Sequence, residues 1–126
     1  MFYRRRETKS RSKTGIWGER IAAKHFKKSG YRIIEVNYRC KLGEIDIIAT
    51  KEDFLVFVEV KTRNARSDTI NPLISITRAK RQKLRKLGEF FMQESDIRNK
   101  QPRFDVIGIT LRNKQAFNLE HIENAF

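Results

Sequence analysis

The chain has 126 residues, which fits a single folded domain, and its 28 lysines and arginines against 15 acids give a formal net charge of +13. Apolar residues make up 39% of it, including nine phenylalanines, and this content excludes a disordered polypeptide. The positive charge favours a polyanionic partner, nucleic acid ahead of an anionic membrane surface. A basic protein with no nucleic-acid partner is the alternative interpretation.

Cysteine and histidine content and the lengths of apolar runs disfavour several other classes of protein. Cys40 is the only cysteine, so an internal disulfide is impossible, and the two separated histidines lack the spacing of a zinc site. No apolar run approaches the roughly 20 residues needed to cross a bilayer, and no apolar segment of a secretory signal follows the basic N-terminus. We therefore expect a cytoplasmic protein without a membrane partner.

Residues 1–14 are predicted to form a basic, disordered tail in front of a single domain at residues 15–126. The tail contains six basic residues and one acid, and its sequence has no apolar periodicity. It would act either as a phosphate-binding arm, in which Arg4, Arg5 and Arg6 contact nucleic acid, or as a solvated segment without a specific role.

The first predicted helix runs from about Ile16 to Ser29 and stops at Gly30. At helical spacing, its apolar stripe consists of Ile16, Ala22, Ala23 and Phe26. Glu19 falls within that stripe. A carboxylate on a buried helix face is costly unless an arginine, a helix end or a bound cation compensates for it.

The remaining segments predict a sheet with a second helix. Three strands are expected at residues 31–37, 43–49 and 54–61, a loop at 62–75, a helix at 77–94, a fourth strand at 104–110 and a possible fifth at 116–122. The nearly continuous apolar run from Phe54 to Val58 is typical of a central strand covered on both faces. The fold class is therefore α/β, in the order αβββαβ with a possible final strand: a mixed central sheet of four to five strands flanked by helices.

The second and third strands carry the main candidates for catalytic and metal-binding residues. A polar turn at residues 50–53 would place Glu44 opposite Glu59 and Asp46 opposite Phe57. Asp46 and Glu59 would then be diagonal neighbours on one face, about 5–8 Å apart, with Lys61 one step further along. Two carboxylates at that distance repel each other unless a divalent cation lies between them, and Mg²⁺ and Mn²⁺ prefer oxygen ligands.

Further charged residues are candidates for the same site. Glu44 is either an additional site residue or the structural partner of an arginine. Lys80 extends the apolar stripe of the second helix, which consists of Leu84, Leu87 and Phe91, and it would contact phosphate. Glu19 and Lys80 either both reach the acid cluster or form an ion pair with each other. The residues of the second helix expected to bind nucleic acid are Arg78, Lys80, Arg81 and Lys83.

Asp105 lies in a strand-like run between Phe104 and Val106. We interpret it as a structural residue that pairs with Arg63 or Arg103.

Taken together, these motifs resemble a known bacterial family. The matching segments are Gly18-Glu19, Gly43-Glu44-Ile45-Asp46, Phe57-Val58-Glu59-Val60-Lys61-Thr62-Arg63, Lys80 and Arg103-Phe104-Asp105-Val106. They resemble the YraN-like family of predicted endonucleases, which is similar to archaeal Holliday junction resolvases and belongs to the PD-(D/E)xK superfamily. The resemblance implies a restriction-endonuclease-like fold.

The resemblance also implies roles for individual residues. Asp46 and Glu59 would be metal ligands together with the carbonyl of Val60, Lys61 would be the catalytic lysine, and Glu19 a further acid near the metal. Ile45 stands where the superfamily's name has proline, a departure that the superfamily tolerates.

The function expected from these observations is a metal-dependent endonuclease acting on DNA. The cofactor would be Mg²⁺, with Mn²⁺ as an alternative, and the substrate branched or duplex DNA. Related resolvases act as two-fold dimers, so a homodimer is a further expectation. Two other functions remain open: a nucleic-acid-binding module that keeps the fold without cutting, and a scaffold that meets an acidic protein.

Overall fold

The computed structural model describes residues 13–64, 76–113 and 116–126. In chain order, the elements are α1 (Lys13–Lys28), β1 (Arg32–Cys40), β2 (Gly43–Lys51), β3 (Phe54–Asn64), α2 (Arg78–Glu94), β4 (Gln101–Leu111) and β5 (Phe117–Ile122). This order confirms the predicted α/β class, and it includes the final strand that the sequence left open.

The five strands form one mixed sheet in the order β1-β2-β3-β4-β5. β3 and β4 run parallel, and the other three neighbouring pairs are antiparallel. Two parallel neighbours cannot be joined by a tight turn, and α2 lies between them in the sequence. β3 occupies the middle of the sheet, as its unbroken apolar run predicts.

Each face of the sheet packs against one helix. On one face, Ala22 and Phe26 of α1 pack against a core that includes Val56 and Val58. On the other, α2 packs through a core whose members include Ile48, Leu55, Phe57, Leu84, Leu87 and Phe91. Side chains alternate between the two faces of a strand, so β3 contributes to both cores. The predicted stripe of α2 is confirmed.

Several elements extend beyond their predicted ends. α1 begins at Lys13, so the last two residues of the predicted tail are helical. β1 continues to Cys40, and β3 continues to Asn64, three residues into the predicted loop. Thr77 is the N-cap of α2 rather than its first residue, and its side chain accepts a hydrogen bond from the backbone N–H of Lys80. Most strand extensions are polar at their ends, where apolar periodicity gives no signal.

The predicted register of the β2–β3 hairpin is wrong by two residues. The turn consists of Glu52 and Asp53 alone, because Lys51 already pairs with Phe54, whereas the sequence suggested a turn of four residues. Glu52 accommodates this tight turn with a left-handed φ of 55°. The two-residue shift leaves Ile48 beside Phe57 in one core and Ile47 beside Val58 in the other, whereas Ile45, which packs in the same core as Ile48, departs from strict alternation.

Candidate active site

Strands β2 and β3 separate next to two acidic residues. Their last paired residues are Ile47 and Val58, and the next position on each strand is Asp46 on β2 and Glu59 on β3. β2 continues beside β1, and β3 continues beside β4. In the space between them, the backbone N–H of Val60 donates to Oδ2 of Asp46 over 2.8 Å. The two acids are therefore next to each other at the point of separation, and not diagonal as predicted.

The two carboxyl groups influence each other electrostatically. Glu59 is buried, with 6% of its surface exposed. Burial raises the pKa of Asp46 well above its usual range, and the charges of Glu59 and Glu19 raise it further, against the opposing hydrogen bond from Val60. Asp46 and Glu59 also share a side-chain hydrogen bond. The raised pKa of Asp46 marks the electrostatic cost of placing two carboxyl groups side by side away from water.

Two lysines lie near the same carboxylate oxygen of Glu59, Oε2. Oε2 of Glu59 is 3.7 Å from Nζ of Lys61 on the same strand and 3.5 Å from Nζ of Lys80 on α2. Both lysine side chains remain 38% exposed, whereas the carboxylate is buried. The site thus brings together Asp46, Glu59, Lys61 and Lys80, and the two ammonium groups face solvent, where an anionic ligand would arrive.

Glu19 reaches this site because α1 packs very closely on the end of β3. A Cβ atom at Gly18 would lie only 1.8 Å from Oγ1 of Thr62, so no larger residue fits there without displacing the helix. Glu19 is the next residue, and its charge acts on Asp46. The predicted convergence of Glu19 with the acids of the hairpin is therefore present as an electrostatic interaction, on a partly buried side chain.

The oxygen atoms of Asp46 and Glu59 are the type of ligand that a hard divalent cation prefers. Asp46 and Glu59 provide carboxylate oxygens, which Mg²⁺ and Mn²⁺ prefer, and a cation between them would relieve the repulsion that helps to raise the pKa of Asp46. Within residues 13–64, 76–113 and 116–126, no three side chains of the types His, Cys, Asp and Glu are arranged to hold a metal. A bound ion would therefore need backbone or water oxygens in addition to the two acids.

Glu44 does not take the position opposite Glu59 that the predicted register gave it. It lies opposite Arg39 on β1 and forms an ion pair with its guanidinium at 3.0 Å. Pairing with an arginine was the structural alternative. The pair borders a depression that is also lined by Lys80 and Lys83.

The basic residues predicted to bind nucleic acid have different surroundings. Arg78 and Lys83 are exposed on α2, and Lys80 contacts Glu59. Arg81 is partly buried; its Nε donates to the carbonyl of Ile76 over 3.2 Å. The predicted contacts of residues 4–6 lie outside the described part of the chain.

A buried polar network near the C-terminal end of α1 contains two histidines that sequence reasoning passed over. Asp105 is fully buried and pairs with Arg103 at 2.8 Å, one of the two predicted partners. His121 Nε2 lies 2.7 Å from the same carboxylate, and Nδ1 of His121 lies 3.0 Å from Nε2 of His25. The histidines are 96 positions apart, and no pattern in the sequence connects them. They brace α1 against β4 and β5.

Comparison with known proteins places the chain among its relatives. The family described as uncharacterised protein family UPF0102 matches residues 18–109. The chain belongs to this family. A UPF0102 protein of Caldanaerobacter subterraneus is 43% identical over 115 residues, which are 89% of this chain and 93% of that protein. One from Clostridium botulinum is 45% identical over 114 residues (89% and 92%), and one from Moorella thermoacetica 39% over 120 residues (94% and 99%).

Membership of UPF0102 confirms the family resemblance carried by the sequence motifs. The segment that matches UPF0102 begins at the glycine packed on Thr62 and includes Asp46, Glu59, Lys61 and Lys80. It ends before β5 and therefore before His121.

Neither helix of the described residues is long and apolar enough to cross a membrane.

Proposed function

We propose that this UPF0102 protein is a metal-dependent endonuclease that hydrolyses phosphodiester bonds in DNA. The observation that supports the proposal is the pair of Asp46 with the buried Glu59, with the ammonium groups of Lys61 and Lys80 beside it. Acids that hold a cation and lysines that receive an anion are the two parts that phosphodiester hydrolysis requires.

The metal would be Mg²⁺, with Mn²⁺ as a substitute, held by the carboxylates of Asp46 and Glu59 and the backbone carbonyl of Val60. When bound, the ion would supply an activated water and neutralise charge that develops on the phosphate. A carboxyl group must be ionised to act as a ligand, so the raised pKa of Asp46 predicts that cation uptake weakens as pH falls. Glu19 adds negative charge near the pair and favours cation uptake.

The two lysines would have separate tasks. Lys61 follows Glu59 by two residues on the same strand, so its ammonium shares the face of Glu59 and orients the attacking water or stabilises the phosphoryl oxygens. Lys80 comes from the helix and binds the phosphate from the opposite side. Both currently pair with Glu59, and an incoming phosphate would compete for them.

The charge of the protein supports DNA as the substrate. The formal net charge is +13, and the exposed basic residues Arg78 and Lys83 lie on the same helix as Lys80. Branched, single-stranded and linear duplex DNA are the substrates to compare. A homodimer would bring two such sites to a branched molecule, and cross-linking on a branched substrate tests it.

Purified protein should cut at least one of these DNA forms with Mg²⁺ or Mn²⁺, and the Glu59→Gln variant should not. Glu120→Gln is the matched control, because it makes the same change on an exposed residue of β5. If wild type, Glu59→Gln and Glu120→Gln give the same traces of cutting, the activity is contamination and the proposal fails.

A non-catalytic nucleic-acid-binding module is the second candidate. The observation favouring it is that Lys61 and Lys80 already neutralise Glu59, so cations of the protein could fill the role of the metal. Calorimetry with Mn²⁺ separates the two functions. A nuclease should take up the ion in wild type and lose it in Asp46→Asn, whereas a pure binder should take up none at this site.

A further inference from the structure

We infer that a depression beside the acid pair binds a second phosphodiester group of the DNA strand being cut. This inference rests on the proposed function, because the strand is located by the acid pair. The depression has a volume of about 340 Å³ and lies between the β1–β2 turn and α2. Its charged lining consists of Arg39, Lys80, Lys83 and Glu44, three cations against one acid.

Lys80 joins the depression to the acid pair. Its side chain lines the depression, and its Nζ lies 3.5 Å from Oε2 of Glu59. Lys83 follows Lys80 by three residues, so both project from the same side of the helix. A strand with one phosphate at the acid pair would therefore place a neighbouring phosphate against Lys80 and Lys83.

The floor of the depression depends on a glycine. Gly43 has a φ of +141°, and a Cβ there would lie 2.9 Å from Cε of Lys83 and 3.3 Å from Cδ1 of Leu87. A side chain at this position would thus occupy the space over the turn and push Lys83 away. Glycine keeps the space open and leaves the stem of Lys83 packed over the backbone.

Arg39 is held in place before any ligand arrives. Its side chain is only 16% exposed, and the guanidinium is fixed by Glu44, whose own side chain is 51% exposed. A guanidinium has five N–H donors, more than one carboxylate uses, so it can bind an anion while it keeps this partner. Preorganised donors lose little conformational freedom on binding.

The lining predicts recognition of the backbone rather than of bases. None of the described residues that line the depression is aromatic, and its apolar part consists of Cys40, Leu84 and Leu87, so it offers no surface on which a base could stack. The contact would therefore be independent of sequence and would register as one released counterion in the salt dependence of binding.

The test measures binding of a short duplex DNA without divalent metal, over a series of salt concentrations, by fluorescence anisotropy. Lys83→Gln should weaken binding about fivefold and lower the slope of log K against log salt by about one. Lys86→Gln is the matched control: it makes the same change on the same helix, at an exposed residue outside the depression. It should lower the slope by less than half as much.

Glu44→Gln gives an effect of opposite sign, because it removes the negative charge of the depression while its amide oxygen can still accept a hydrogen bond from Arg39. It should tighten binding severalfold, and a protein that binds DNA more tightly has not failed to fold. Inorganic phosphate serves as a competitor: displacement of the DNA by low millimolar phosphate would assign the depression to free phosphate and overturn the inference.

The inference and the proposed function fail separately. Equal losses in Lys83→Gln and Lys86→Gln would overturn the second phosphate site, whatever the outcome of cleavage assays. Cutting that survives Glu59→Gln would overturn the nuclease proposal, and the contrast between the two lysines in the binding assay would stand. If the protein cuts DNA, Lys83→Gln should raise KM with little change in kcat.

Discussion

Nζ of Lys80, on α2, lies 3.5 Å from Oε2 of Glu59, on β3. The contact connects the helix to the acid pair across one face of the sheet, where Leu84 and Leu87 anchor α2 in the core. Lys61 approaches the same oxygen from the strand itself. The buried carboxylate thus has one lysine fixed by the strand and one fixed by helix packing, and their substitution should have different consequences.

Lys61→Met should lower kcat about 10²- to 10³-fold with little change in KM, because Lys61 is proposed to act on the reacting groups. Lys80→Met should instead raise KM about tenfold, because it removes a phosphate contact. Steady-state cleavage of a labelled DNA measures both. Identical kinetic changes in the two variants would contradict the separate roles.

Asp46→Asn should stabilise the fold at neutral pH and abolish metal uptake. Burial raises the pKa of Asp46, so the unfolded chain releases this proton first, and wild type loses stability as pH rises above about 3.8. Asparagine carries no charge to bury, so the variant should gain about 1–3 kcal/mol at pH 7. Urea unfolding at pH 4 and pH 7 measures the gain, which should be larger at pH 7.

Asp53→Asn serves as the control for this substitution, since Asp53 is an exposed turn residue. A neutral effect of Asp53→Asn combined with destabilisation by Asp46→Asn at pH 7 would show that Asp46 does not strain the folded protein.

The histidine network predicts a second, separate pH dependence of stability. Burial lowers the pKa of His25, and the charge of His121 lowers it further. The unfolded chain therefore binds this proton first, near the ordinary value of 6.5, and the free energy of unfolding should fall as pH drops below about 6.5. Thermal unfolding of wild type and His25→Gln at pH 7.5, 6.5 and 5.5 measures the effect, which the variant should lack.

Asp105 gives the free energy of unfolding a further pH dependence, at lower pH than that of His25. Burial alone would raise its pKa, but hydrogen bonds from His121, Arg103 and the backbone of Asn124 outweigh burial and lower it. Its stabilisation is present above pH 3.8 and is lost only as pH falls through the lower folded value, so it does not overlap with the window of His25. Lys24→Gln, an exposed change next to His25 on α1, should leave the pH dependence of stability unaltered.

Gly18→Ala should destabilise the protein by about 1–3 kcal/mol through steric overlap, although alanine is the better helix former. The added Cβ would lie 1.8 Å from Oγ1 of Thr62, so α1 must move and carry Glu19 with it. Adding Thr62→Ala removes that oxygen but leaves the Cβ of residue 62 only 2.8 Å from the added atom, so it should restore part of the stability. Chemical denaturation measures both variants, and no rescue by the second substitution would indicate that the contact with Thr62 is not the cause.

The sequence by itself determined most of the elements and the apolar stripe or strand that each one buries. The run from Phe54 to Val58 predicted the central strand, and the spacing of Leu84, Leu87 and Phe91 predicted the helix that covers it. These patterns are local, because the spacing of apolar residues within one element shows which of its residues are buried. The proximity of Asp46 and Glu59 could be predicted from the same strands although the register was wrong by two.

Only the tertiary structure decided which residues of distant elements meet. The two-residue turn set the register, the close approach of Gly18 to Thr62 brought Glu19 to the acids, and the return of β5 placed His121 against His25 across 96 positions. The depression with Arg39, Gly43 and Lys83 arises in the same way. Such contacts depend on how whole elements pack, and the sequence around any one of these residues contains no record of its partner.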